Sequence, residues 1–148
     1  MTPTTASPDT AAAGALQTVA APLGRVLLAL IFILAGYQKI GGYAGVQGYM
    51  EAMGVPGALL PLVIALELLG GLALLLGYKA RLAALLLGGF TLVSGILFHL
   101  LPGLGMEGMA AQNEINHFLK NLAIAGGMGL ILAFGAGPVS LDRRSGTD

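Results

Sequence analysis

The chain has 148 residues, of which 56% are hydrophobic and only 9% are charged, and its mean hydropathy is +0.86. Soluble domains are about one quarter charged, and a chain this short could not hide so much apolar surface from water, so a membrane protein is expected. The net charge is zero, which gives no electrostatic basis for nucleic-acid binding, and the lack of cysteine excludes disulfides and thiolate metal sites.

The N-terminal segment is the first predicted element. Residues 1–20 are rich in threonine, alanine and proline and carry a single charge, so we predict a disordered tail. No lysine or arginine precedes Arg25, whereas a signal peptide begins with basic residues, so the first apolar run is expected to be a retained span. A membrane domain is predicted over residues 21–140, and a polar C-terminal tail over residues 141–148.

Four apolar runs are long enough to cross a bilayer, since a transmembrane helix needs about 20 mainly apolar residues. Helices are expected because an open strand cannot satisfy its backbone in lipid. The tight turn at residues 78–81 makes the second and third helices antiparallel neighbours, so the predicted fold is all-α, an up-down bundle of four transmembrane helices. The runs cover roughly residues 19–38, 58–77, 82–101 and 116–136.

The connections between the runs predict the orientation of the bundle. Residues 39–57, which are expected to include a short interfacial helix over residues 45–53, and residues 102–115 contain acidic residues, whereas the opposite side collects lysine and arginine. The positive-inside rule therefore places both termini in the cytoplasm. The predicted topology anchors on the cytoplasmic side are Arg25, Lys79, Arg81, Arg143 and Arg144.

Pairs of glycine interrupt three of the apolar runs. Small residues let membrane helices approach closely and gain dispersion contact. Gly71, Gly89 and Gly127 are therefore predicted to face neighbouring helices.

Polar residues inside the apolar runs are the candidate functional residues. An ionisable group near the bilayer midplane costs about 2.5–3.5 kcal/mol, so it needs a partner or a water-filled cavity. Glu67 lies near the middle of the second run, and Lys120 and Asn121 lie about one turn or more inside the fourth. Helical spacing puts His117 on the same face as Lys120 and Asn121. We predict that Glu67 pairs with Lys120 across the bundle.

Two residues at the ends of runs complete a predicted polar cluster in the outer half of the bundle. His99 ends the third run and Lys39 ends the first on the same side. The members of the cluster also have non-functional interpretations. Lys39 can snorkel to the headgroups, and His99 and His117 can be interfacial residues. The Glu67–Lys120 pair can have a purely structural role. No metal site is predicted, and haem between the histidines is disfavoured because no attachment motif flanks them. The cluster comprises Lys39, Glu67, His99, His117, Lys120 and Asn121.

Several of these residues belong to five short motifs that are weak singly and more specific in their order and spacing. The motifs are R-x6-F-x2-A-G-x2-K from Arg25, E-L-L-G-G from Glu67, Phe98-His99, Lys120-Asn121-Leu122, and G-P-V-S-L-D from Gly137. Over about residues 22–142, the chain thereby resembles the DoxX family of small four-helix bacterial membrane proteins.

The resemblance implies a multi-pass protein of the bacterial inner (plasma) membrane that takes part in redox chemistry. Family members are associated with quinone reduction during thiosulfate oxidation, with a terminal oxidase and with oxidative-stress complexes, and many have no established activity. The expected function is a redox-associated membrane subunit, rather than an independent enzyme, that binds a quinone or another small lipid-soluble substrate. Lys120, Asn121 or His99 would donate hydrogen bonds to a carbonyl, and Glu67 would relay a proton.

Two other functions fit the same residues. A non-catalytic assembly subunit would use the polar cluster to set specificity for a soluble oxidoreductase partner, and a homo-oligomer is a further expected assembly. A small proton-coupled transporter is less favoured, because four helices must oligomerise to build a pathway and the internal repeat is faint.

Overall fold

The computed structural model describes residues 8–146, and these residues form helices joined by short connections. The long helices are α1 (Pro8–Gly41), α3 (Leu60–Leu76), α4 (Ala80–Gly95) and α6 (Gly108–Phe134). The short helices are α2 (Tyr43–Ala52), α5 (Leu101–Leu104) and α7 (Leu141–Ser145). A 3-10 turn (Gly57–Leu59) precedes α3, and a π-helical segment (Ile96–Leu100) joins α4 to α5. Within the described residues, four segments are long and apolar enough to cross a membrane, which confirms the predicted all-α fold.

The long helices pack most tightly in two pairs, α1 with α3 and α4 with α6, and α3 packs on α4 through the short turn between them. Because four spans bring the chain back to the side where it started, one end of the bundle carries the start of α1, the α3–α4 turn and α7. We call it the terminal end, and the opposite end, which carries α2 and α5, the connection end. Placement of the terminal end in the cytoplasm stays a prediction from the charges.

The outer surface of the bundle is apolar, as lipid contact requires. Leucines on α1, α3 and α6 are more than half exposed, among them Leu27, Leu62, Leu69 and Leu130. A continuous apolar surface of this kind is unstable in water and stable in lipid. The residues completely buried between the helices are small or medium in size, such as Ala29, Leu74, Ala84, Leu87 and Met128.

Two helices begin earlier in the chain than the sequence predicts. Residues 1–7 of the predicted disordered tail lie outside the described residues, but α1 begins at Pro8, so residues 8–20 are helical. This segment is rich in alanine, the strongest helix former, and proline is tolerated in a first helical turn. Likewise α6 begins at Gly108, inside the predicted connection over residues 102–115. Hydropathy predicts which part of a helix lies in lipid. The helix itself can continue beyond that part through polar residues and alanine, as α1 and α6 do.

The glycine prediction is partly confirmed. A methyl group at Gly71 would lie 2.8 Å from a side-chain carbon of α1, and one at Gly127 would lie 3.2 Å from another. The prediction for Gly89 is wrong, because no described atom lies within 4 Å of such a methyl group there. Its neighbour Gly88 faces α6 instead, at 3.0 Å. Adjacent residues point about 100° apart on a helix, so a glycine pair alone does not reveal which member faces the neighbour.

Candidate functional site

A cavity of about 320 Å³ lies in the connection half of the bundle, between the long helices and beside α2. Pockets for small molecules measure about 300–1,000 Å³ and are mainly apolar with a few polar groups. This cavity has that composition. Its apolar walls include Phe32, Met50, Phe90, Phe98 and Ile124. Its polar members are Lys39, Tyr49, Glu67, Thr91, Ser94, His99, Lys120 and Asn121. Five of the six residues of the predicted polar cluster therefore line one cavity, and His117 is the exception.

Glu67 is the buried charge of this cavity. Its side chain is only 4% exposed, and its Oε1 accepts a hydrogen bond from Lys39 Nζ at 2.8 Å. The predicted Glu67–Lys120 pair is wrong, because within residues 8–146 no ion pair joins these two side chains. α1 and α3 approach closely at Gly36, where a methyl group would lie 3.2 Å from Glu67 Cβ. Lys39 lies three residues further along α1, so its stem reaches the carboxylate.

The second oxygen of this carboxylate is the least satisfied polar atom of the cavity. Glu67 Oε2 is buried and has no hydrogen-bond partner among the described residues. Buried polar atoms are nearly always paired, because an unpaired one loses its hydration without compensation. The cavity therefore contains a carboxylate with one oxygen bonded to Lys39 and one oxygen without a partner among the described residues.

Lys120 and Asn121 approach the cavity from α6 in different ways. Lys120 is exposed, and its Nζ lies 3.3 Å from Nδ1 of His117, one turn earlier on the same helix. Asn121 is half-buried and faces α4, where a methyl group at Gly95 would lie 3.0 Å from its Nδ2. The absence of a side chain at Gly95 thus makes room for the amide. No partner of the Asn121 amide is found in the part of the chain that the structure describes.

His99 lies in the π-helical segment between α4 and α5. Its Nδ1 is 2.8 Å from Glu114 Oε2, and its ring centroid is 5.1 Å from that of His117. π-helical turns inside membrane helices often occur at functional sites, since the extra residue per turn redirects side chains. Here the segment presents Phe98 and His99 to the cavity. The sequence predicted His99 as a member of the cluster but contains no signal for the π-helical turn.

α2 closes the cavity at the connection end. Val46, Tyr49 and Met50 share one helix face by their spacing and line the cavity. Met50 is buried, and the Tyr49 ring lies 5.6 Å from the Phe98 ring. Burial raises the pKa of the Tyr49 phenol above its ordinary value, and the charge of Glu114 raises that pKa further. The predicted interfacial helix is thus present, but its place in the cavity wall was missed, although the spacing of its apolar residues could have indicated a buried face.

Arg25, which the sequence predicted as a topology anchor on the cytoplasmic side, is buried at the terminal end. It is only 4% exposed, and its two terminal nitrogens donate hydrogen bonds to the carbonyl oxygens of Ala136 and Val139, each at 2.9 Å. These carbonyls follow the C-terminus of α6, where backbone acceptors lack helical partners. Arg25 therefore ties α1 to the end of α6. The other predicted anchors are exposed at the terminal end, namely Lys79, Arg81, Arg143 and Arg144.

Asp142 is a buried charge that the sequence analysis missed, since it lies in the predicted polar tail. Its two carboxylate oxygens accept hydrogen bonds from the backbone N–H groups of Lys79, at 2.7 Å, and Ala80, at 2.8 Å. These N–H groups stand at the start of α4, so the carboxylate satisfies donors that have no helical acceptor. The only available signal was its place in the G-P-V-S-L-D motif after the last span.

Comparison with known proteins agrees with this architecture. The DoxX family model matches residues 20–100. Over 128 residues the chain is 48% identical to inner membrane protein YqjF of Escherichia coli (strain K12), a match that covers 86% of this chain and 93% of that protein. It is 34% identical over 133 residues to inner membrane protein YphA of the same organism, a match that covers 88% of this chain and 94% of that protein. No solved structure shows a significant match to the chain.

Proposed function

Because the chain belongs to the DoxX family and is a multi-pass inner-membrane protein like its relatives, we propose that it serves as the membrane subunit of a redox system. Its role there is to bind a quinone, or a similarly small lipid-soluble substrate, in the cavity beside α2. A soluble oxidoreductase is the expected partner. The observation that carries the proposal is a cavity of about 320 Å³ with mainly apolar walls and a few polar side chains at one end.

The walls of the cavity suit a flat apolar ring. Phe32, Phe90 and Phe98 contribute aromatic surface from α1, α4 and the π-helical segment. Aromatic rings prefer offset or edge-to-face contacts with other rings, which adds to the gain from apolar burial. The polar residues at the connection end provide hydrogen bonds that would orient the polar substituents of such a ring.

A lateral route into the cavity is supported by the spacing of α1 and α6. The two helices contact each other in the terminal half, where Leu28 packs at Gly127. In the connection half the cavity lies between them, and its lining includes the exposed residues Ile31 and Lys120. A lipid-soluble substrate would enter from the bilayer through this seam without first passing into water.

The test is direct binding of a short-chain benzoquinone, decylubiquinone, to the purified protein in lipid nanodiscs. We expect saturable binding by calorimetry and a higher Tm in the presence of the ligand. Ala35→Leu fills the cavity from α1 and should abolish both effects. Ala123→Leu makes the same change on the exposed face of α6 and should leave both unchanged.

Two results would count against this function. One is the absence of saturable binding to the wild-type protein, and the other is undiminished binding to the cavity-filled variant. Stable co-purification of a soluble oxidoreductase without any small ligand would then favour the assembly subunit.

A further inference from the structure

We infer that the cavity selects ligands that present a hydroxyl group, so that it takes the hydroquinone or another phenol in preference to the quinone. This inference rests on the proposed function and specifies the chemical class of the ligand. The group that makes the selection is Glu67, because its free oxygen can accept a hydrogen bond and has no proton to donate.

The contact with Lys39 stabilises the ionised form of Glu67. The carboxylate and the ammonium group are 2.8 Å apart, which is the length of a charge-assisted hydrogen bond. This pairing favours the ionised carboxylate, and an ionised carboxylate is an acceptor only. A quinone carbonyl placed against Oε2 would bring two acceptors together, whereas a phenolic O–H would complete the hydrogen bonding of the carboxylate.

The hydroxyl groups of Thr91 and Ser94 and the ammonium group of Lys39 do not cancel this preference. Thr91 Oγ1 donates to the Leu87 carbonyl oxygen at 2.7 Å, and Ser94 Oγ donates to the Thr91 carbonyl oxygen at 3.2 Å. Their protons are therefore engaged within α4. The Lys39 side chain is 25% exposed, so its remaining N–H groups can be satisfied by water or headgroups, but the buried Glu67 Oε2 cannot.

The opposite side of the cavity tolerates either oxidation state. Asn121 has an amide that both donates and accepts, so it can bind a hydroxyl or a carbonyl at the far side of the ring. The terminal torsion of a glutamate is soft, and a small rotation of Glu67 would turn Oε2 toward the ligand. Of Glu67 and Asn121, only Glu67 thus discriminates between the two oxidation states.

The experiment compares three ligands that share one ring and one decyl chain, namely decylubiquinol, decylubiquinone and the dimethyl ether of the quinol. Binding to the wild-type protein is measured in nanodiscs under anaerobic conditions, so that the quinol stays reduced. A hydrogen bond to a charged group contributes about 1.5–3 kcal/mol, which corresponds to about 10- to 150-fold in Kd. We expect the quinol to bind tighter than both other ligands by this factor.

A matched variant locates the preference at Glu67. Glu67→Gln introduces an amide that can donate to a carbonyl, so the preference for the quinol should disappear and the quinone should bind at least as well. Glu107→Gln makes the same change at an exposed position outside the cavity and should keep the wild-type order of affinities. The three-ligand comparison on the wild type needs no variant, so it tests the inference even if Glu67→Gln does not fold.

The outcomes separate the inference from the proposed function. Equal affinity of the wild type for all three ligands, or a preference for the quinone, overturns the selection of hydroxyl groups and leaves the binding function intact. A quinol preference that persists in Glu67→Gln overturns the role of Glu67. If none of the three ligands binds, the proposed function fails and this inference fails with it.

Discussion

The two halves of the bundle both bury charged side chains, but they pair them differently. At the terminal end, Arg25 and Asp142 are bonded to backbone atoms, with both terminal nitrogens of the arginine and both oxygens of the carboxylate engaged. In the connection half, Glu67 has a single side-chain partner, Lys39, among the described residues. Its other oxygen is buried and, within residues 8–146, unpaired.

This difference separates a structural role from a binding role. A buried charge that is hydrogen-bonded to the backbone of a distant segment holds the chain in one conformation. A buried charge with an open acceptor beside a cavity is destabilising until something binds it. Burial of a charged side chain therefore indicates a structural role at the terminal end and a binding role in the connection half.

Apolar packing follows the same division. The larger core cluster, with Ala29, Leu74, Ala84 and Met128, lies toward the terminal end, where small residues let the helices approach closely. The smaller cluster, formed by Met50, Leu60 and Ile64, lies under α2. The helices are thus held together mainly at one end, which leaves room for a cavity at the other.

The largest expected effect concerns which compartment each end faces. We predict the terminal end in the cytoplasm, so a cysteine introduced at Gly45 of α2 should react with a membrane-impermeant maleimide from outside intact cells. A cysteine at Ser145 of α7 should react only after permeabilisation. The chain has no native cysteine, so labelling is unambiguous. The reverse pattern would invert the orientation and place the cavity in the cytoplasmic half.

The next effect tests the structural role of Arg25. Arg25→Met removes a buried charge that donates hydrogen bonds from α1 to carbonyls beyond the end of α6, so we expect a loss of about 3–5 kcal/mol in the free energy of unfolding. The control is Arg81→Met. Arg81 also donates to two carbonyls near the end of α6 but is exposed, so little change is expected. Equal losses in reversible unfolding measurements would remove the distinction between the buried and the exposed arginine.

A double-mutant cycle distinguishes the pair that the structure contains from the pair that the sequence predicted. Glu67→Gln and Lys39→Met should be non-additive by about 1–3 kcal/mol, because each removes the other's partner. Glu67→Gln and Lys120→Met should be additive within about 0.5 kcal/mol, since Lys120 contacts His117 instead. Both cycles are measured in one fixed detergent. Coupling of Glu67 to Lys120 and none to Lys39 would show that the Lys39–Glu67 pairing is incorrect.

The smallest expected effect concerns Gly71 and Gly89, which the sequence predicted to face neighbouring helices. Gly71→Ala places a methyl group 2.8 Å from a side chain and 3.3 Å from backbone atoms of α1, and such overpacking costs about 1–3 kcal/mol. Gly89→Ala meets no described atom within 4 Å and should leave Tm unchanged or slightly raised. If the two variants melt at the same temperature, close packing of α1 on α3 is not what stabilises this region.

The sequence predicted the number of membrane helices and the all-α fold, and five of the six residues of the predicted cluster line one cavity. The helix count and the shared location of these five residues have the same physical reason. Entry of a helix into lipid depends on the summed hydropathy of a local segment, and the depth of a residue depends on its distance along the helix from the segment's ends. Glu67, His99 and Lys120 could therefore be placed in one region of the bundle without knowledge of which helices touch.

Tertiary structure alone decided which of these residues meet. Lys39 pairs with Glu67 across 28 residues of sequence because α1 and α3 pack tightly at Gly36, and the rotation of a helix about its axis is set by such packing. Depth along a helix is a local property, whereas rotation and choice of neighbour depend on every facing side chain at once. For the same reason the hydrogen bonds of Arg25 and Asp142, which join distant parts of the chain at the terminal end, could not be derived from their local sequence.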